Sequence, residues 1–120
     1  MRILLIDDET DFLELMKNRL EKRGFSVICA DSGEKGLELI EKEEVDVAVV
    51  DVKMPGMDGL ATLEALRRVV EDLPVLVLSG HADTQTAMSC IERGAADYLL
   101  KPVSINDLIG SLRSLVEKNI

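Results

Sequence analysis

Hydrophobic and polar positions along the chain fall into blocks that alternate five times. Short apolar runs stand at Ile3–Ile6, Phe25–Ala30, Val45–Val50, Val75–Leu78 and Tyr98–Leu100. A strand with one wet face shows a polar residue at every second position, and most of these runs do not. They are predicted to be strands covered on both faces. The second run includes Ser26 and Cys29, which suits a more peripheral strand.

The intervening stretches carry a helical period. Residues 11–23 put Leu13, Met16 and Leu20 on one stripe and stop at Gly24. Residues 33–43 turn Leu37 and Ile40 inward behind Ser32, an N-cap residue type. Residues 59–71 carry Leu60, Leu63, Leu66 and Val70, and residues 84–93 carry Ala87, Met88 and Ile91 before Gly94, a natural helix terminator. Residues 105–118 carry Leu108, Leu112 and Leu115, with Ser104 as cap and Asp107 three positions on.

Strands alternating with helices of this length pair in parallel through right-handed crossovers. The expected fold is α/β: a doubly wound (βα)5 unit with a five-stranded parallel sheet in the flavodoxin-like order 2-1-3-4-5 and helices on both faces. The 120 residues are read as one domain, 1–120.

Composition restricts the core and the partners. Hydrophobic residues make up 47% of the chain, yet it holds no Trp, one Tyr and two Phe, so the core must be aliphatic. A net charge of −9 opposes binding to nucleic-acid phosphate or anionic lipid, so neither direct DNA contact nor membrane association is expected. Cys29 and Cys90 lie among apolar residues without metal-ligand spacing and read as small buried thiols. The apolar start at residues 1–6 is too short for a secretory signal, and no run approaches the roughly 20 residues that span a bilayer. The expected location is the cytoplasm.

In doubly wound sheets, sites form at the carboxyl ends of the strands. There the chain has Asp7, Asp8 and Glu9 after strand one, Asp51 after strand three, Ser79 and Gly80 after strand four, and Lys101 and Pro102 after strand five. The order 2-1-3-4-5 brings Asp7, Asp8 and Asp51 together. Two unit charges ~4 Å apart repel by about 4 kcal/mol at an effective dielectric of 20, so the cluster must hold protons or a cation. Hard oxygen ligands open to water suit Mg²⁺ or Mn²⁺ better than Zn²⁺. A carboxylate beside a divalent ion and a lysine is suited to accept a phosphoryl group, with Asp51 as nucleophile and Ser79 donating a hydrogen bond to the bound group.

Three other classes meet obstacles in these residues. A phosphatase of the haloacid-dehalogenase type needs a second Asp two residues after the nucleophile, where Lys53 stands. A flavodoxin-like nucleotide or flavin binder needs a Gly- or Ser/Thr-rich loop after strand one, where Asp7-Asp8-Glu9 stands. A partner-binding domain with a decayed site would lack at least one member of the set.

The segments ILLIDDE, VVDVKMPGMDGL, VLVLSGH and GAADYLLKP together resemble those of two-component response-regulator receiver domains, over essentially the whole chain. The resemblance implies roles. Asp51 is the expected phosphoacceptor, Asp8 the direct metal ligand of the acidic pair and Asp7 a ligand through water. The backbone carbonyl of Lys53 is the third protein ligand. Ser79 is the switch hydroxyl, with serine in place of the commoner threonine, Tyr98 the switch aromatic and Lys101 the phosphate-binding lysine. Lys101–Pro102 is expected to be cis, and Met54-Pro55-Gly56 to form a tight loop. Lys53 and His81 stand at variable positions near the acceptor, where they are expected to tune the lifetime of the phosphoryl group.

The implied function is a phosphoacceptor switch that catalyses only its own Mg²⁺-dependent phosphorylation and dephosphorylation. The implied donor is a histidine kinase or phosphotransfer domain. Output is expected through the face formed by residues 84–118, toward an output domain, a downstream protein or a second copy in a phosphorylation-linked homodimer.

Overall fold

Five strands and five helices alternate in the structure, a computed structural model that describes residues 1–52, 59–80 and 84–118. In chain order they are β1 (Arg2–Ile6), α1 (Thr10–Glu21), β2 (Ser26–Ala30), α2 (Gly33–Lys42), β3 (Val47–Asp51), α3 (Gly59–Val69), β4 (Val75–Ser79), α4 (Thr84–Glu92), β5 (Asp97–Leu100) and α5 (Ile105–Lys118). The strands form one parallel sheet in the order β2-β1-β3-β4-β5, as the alternating pattern predicts.

The apolar runs work as two-faced strands. Along β1, Ile3 and Leu5 enter one core cluster and Leu4 and Ile6 the other. The first cluster joins the sheet to α1 through Leu13, Met16 and Leu20 and to α5 through Leu108, Leu112 and Leu115. The second joins it to α2 through Ile40, to α3 through Leu63 and Leu66, and to α4 through Cys90. Both are built from aliphatic side chains, with Phe25 the one buried aromatic among the described residues. Each buried aliphatic side chain contributes roughly 1.5–3 kcal/mol relative to exposure.

The cap residues act as their types suggest. Ser32 Oγ accepts from the Lys35 N–H at 3.2 Å and Ser104 Oγ from the Asp107 N–H at 3.0 Å. Gly94 closes α4 at φ +106, a conformation that costs a side chain with a Cβ.

Two expectations need correction. In α4 the apolar period read from the sequence rests on Ala87, Met88 and Ile91, but Met88 and Ile91 are 57% and 50% exposed, and Cys90 is the residue that enters the core. At 100° per residue Cys90 lies well away from Met88 on the helix, and its small side chain lets α4 sit close to the sheet. Cys29 is half-buried rather than buried, because β2 is the sheet edge. Burial pushes both thiols above their ordinary pKa. No helix among the described residues is long and apolar enough to cross a membrane.

Candidate functional site

Strand parity assembles the site. Leu5, Val49 and Leu99 all belong to the cluster under α1 and α5. Side chains alternate along a strand, so the residues two positions later, Asp7, Asp51 and Lys101, continue that same face beyond the apolar layer. The register fixes their level, since Leu5 pairs with Val49 and Lys101 N–H donates to the Ser79 carbonyl at 2.8 Å.

Lys101 is the hub. Its Nζ lies 2.7 Å from Asp7 Oδ2, 3.5 Å from Glu9 Oε1 and 3.6 Å from Asp51 Oδ2. Asp7 is nearly sealed from solvent, and its other oxygen accepts the Glu9 N–H at 2.9 Å. Its own N–H donates to Ala30 at 3.1 Å, which ties the turn after β1 to the end of β2. Burial alone would lower the pKa of Lys101. The hydrogen bond and charge of Asp7, reinforced by Asp51 and Glu9, outweigh burial and raise it, so the ammonium stays charged.

The acidic groups converge as predicted, with one addition. Ligand oxygens of Asp7, Asp8, Glu9 and Asp51 all lie within 4.8 Å of one another. One ammonium among four carboxylates leaves the cleft strongly negative. Asp7 and Asp51 are buried while Asp8 and Glu9 are exposed, so a cation can enter from solvent and keep part of its water shell. An oxygen-only, partly hydrated donor set fits a hard divalent cation. Glu9 was not among the ligands expected from sequence, although its place beside the acidic pair was visible there.

On the opposite parity, Ser79 ends β4 beside Lys101 and is buried. Tyr98 pairs in register with Val77, two residues before Ser79, and packs against the second core cluster. Ser79 and Tyr98 therefore share a sheet face, which the expected switch pair requires. Lys101–Pro102 is cis, as expected. Lys53, the Met54-Pro55-Gly56 loop and His81 lie outside the described residues.

Backbone packing holds the acceptor strand from behind. Val52 N–H donates to Leu78 at 2.9 Å and Gly59 N–H to Val52 at 2.9 Å. A Cβ on Gly59 would collide with the Asp51 carbonyl oxygen and Val52 Cα, so only glycine lets α3 begin this close to the acceptor.

Sequence reasoning also missed Phe12. Its half-buried ring lies on the first turn of α1, with Lys101 Nζ 4.4 Å from the ring centroid. The available signal was its position beside the Leu13–Met16–Leu20 stripe, as one of only two Phe. Phe12 also walls a groove of about 410 Å³, shared with Leu15, Met16, Lys101, Pro102 and Val103.

Comparison with known proteins agrees with this fold. The family model of the response regulator receiver domain matches residues 3–113. The response regulator MprA of Mycobacterium leprae is 36% identical over 98% of the chain, which covers 52% of that protein. The chain thus spans about half the length of the curated relatives it matches. A CheY-like receiver domain protein from Methanospirillum hungatei superposes with a TM-score of 0.93 at 30% identity, over 98% of this chain and 94% of that one. A Burkholderia pseudomallei response regulator, solved with a phosphorylated aspartic acid, calcium ion and citrate, superposes with a TM-score of 0.88 at 29% identity, over 98% of this chain and 69% of that one.

Proposed function

The chain belongs to the response regulator receiver domain family, and from that premise we propose that Asp51 is its phosphoacceptor and that Lys101, Ser79 and Tyr98 convert phosphorylation into a change of surface. The observation that carries this reading is a cluster of four carboxylates at the carboxyl edge of the sheet, three of which, Asp7, Glu9 and Asp51, lie within 4 Å of the Lys101 ammonium.

An Asp51 carboxylate oxygen attacks phosphorus of a phosphohistidine on a histidine kinase or phosphotransfer domain. The new P–O bond forms as the P–N bond breaks, and the imidazole leaves with the electron pair and takes up a proton. Mg²⁺, for which Mn²⁺ can substitute, would be held by Asp8, Asp51 and the Lys53 carbonyl, with Asp7 acting through water, and would neutralise oxygens of the transferring group. Lys101 supplies the second positive charge and moves little to do so, since its ammonium already stands 3.6 Å from Asp51. Ser79 donates its hydroxyl to the bound phosphoryl group. Hydrolysis of the acyl phosphate resets the site.

The phosphoryl group adds charge and acceptors, which draw Ser79 and Lys101 toward Asp51. Tyr98, on the Ser79 face of the sheet, follows the space that Ser79 leaves. A preference of a few kcal/mol for the altered state suffices to turn a minor population into the major one. The readout surface is the 84–118 face, where Met88, Ile91 and Leu100 are exposed apolar side chains on α4 and β5. Its occupant is an output domain, a downstream protein or a second copy, and the domain works in the cytoplasm.

The test is incubation with Mg²⁺ and acetyl phosphate, read by intact mass. Uptake of one phosphoryl group that chelation prevents supports the reading, and no uptake at saturating donor defeats it.

A further inference from the structure

Lys101 faces two different kinds of neighbour. Carboxylate oxygens of Asp7, Glu9 and Asp51 stand 2.7, 3.5 and 3.6 Å from its ammonium. The Phe12 ring stands under the ammonium, 4.4 Å from Nζ to the centroid. The lysine side chain is only 17% exposed. Phe12 is itself fixed: it lies on the first turn of α1, next to buried Leu13, and packs against the first core cluster.

We propose that Phe12 is a positioning residue for phosphoryl transfer, holding the Lys101 ammonium over its ring so that the ammonium can pass from Asp7 to the incoming phosphoryl group. This rests on the phosphoacceptor reading of Asp51. The face of an aromatic ring attracts a cation through its quadrupole and makes no directed hydrogen bond. Such a support limits how far a long, flexible side chain strays without choosing among its carboxylate partners. A polar residue in the same place would offer an acceptor of its own and compete with the phosphoryl oxygens. An aliphatic one would fill the space but leave that side of the charge without compensation.

The acetyl phosphate reaction measures this directly, with Mg²⁺ at saturation. Replacing Phe12 with phenylalanines bearing one, two or three ring fluorines weakens the quadrupole stepwise while nearly preserving shape. The expected result is a phosphorylation rate constant that falls with each fluorine, by roughly threefold to tenfold across the series. Phe12→Tyr, which keeps the ring's face, should retain most of the rate, and Phe12→Leu should fall at least as far as the most fluorinated variant. A flat rate across the fluorinated series overturns the proposal, even if Phe12→Leu is slow, because packing alone would then explain the ring. A wild type that is phosphorylated normally alongside a flat series isolates the failure to Phe12. A wild type that takes up no phosphoryl group removes the phosphoacceptor reading itself, and this proposal with it.

Discussion

Lys101 makes its shortest contact, 2.7 Å, with Asp7 rather than with Asp51, which stands 3.6 Å away. The positive charge is therefore stored against a buried carboxylate, beside the group it is to serve. The arrangement compensates Asp7 in the absence of a phosphoryl group and leaves the ammonium a short path once one arrives.

Removing that charge should affect both stability and chemistry. Lys101→Met leaves Asp7 buried without its partner, and breaking a buried pair costs about 3 kcal/mol when nothing replaces it. Urea unfolding in the presence of a chelator should show a loss of about that size, and millimolar Mg²⁺ should recover more stability in the variant than in wild type. The phosphorylation rate should fall about a hundredfold, as when one charge-stabilising donor is lost from an active site. Equal Mg²⁺ responses in the two proteins would count against a shared electrostatic site.

Asp8 is exposed, so Asp8→Asn should leave stability without metal nearly unchanged, within about 0.5 kcal/mol. Wild type at a Mg²⁺ concentration a hundredfold above its dissociation constant should gain about 2.7 kcal/mol. Thermal unfolding with and without Mg²⁺ should show that gain shrinking sharply in the variant. An undiminished gain would remove Asp8 from the ligand set.

Gly59→Ala introduces a methyl group against the Asp51 carbonyl and Val52. Overpacking of this kind costs about 2 kcal/mol, and here the backbone that must yield carries the acceptor. Denaturant unfolding and acetyl phosphate kinetics should both worsen. A variant with wild-type stability would show that α3 can withdraw without penalty.

Ile91 is half-exposed on α4 and belongs to neither core cluster. Ile91→Glu should change stability by less than about 0.5 kcal/mol. Phosphoryl uptake should be untouched. Binding by the 84–118 face, read as self-association or partner capture after beryllofluoride treatment, should be lost. Retained binding would place the readout elsewhere.

The strand order and the residues at the strand tips were legible because two rules act together. Continuous apolar runs mark doubly covered strands, and a doubly wound sheet collects whatever follows them at one edge. Asp7, Asp51 and Lys101 could be brought together on that basis alone. Phe12 could not, because its role depends on where a helix's first turn lies over a lysine far away in the chain. The α4 stripe was misread for a related reason. Met88 and Ile91 have helical spacing and the right chemistry, but which side of a short helix meets the sheet is set by the loops that orient it. Cys90, which reads from the sequence as a small buried thiol, is the α4 residue that does enter the core.

The most direct test locates the phosphoryl group. Protein treated with acetyl phosphate and Mg²⁺ is reduced with borohydride, which converts an aspartyl phosphate to homoserine, and is then mapped by peptide mass spectrometry. The account predicts homoserine at position 51 alone, with none in Asp51→Asn. Reduction at Asp7 or Asp8, or an unmodified Asp51 in protein that has taken up phosphate, would contradict it.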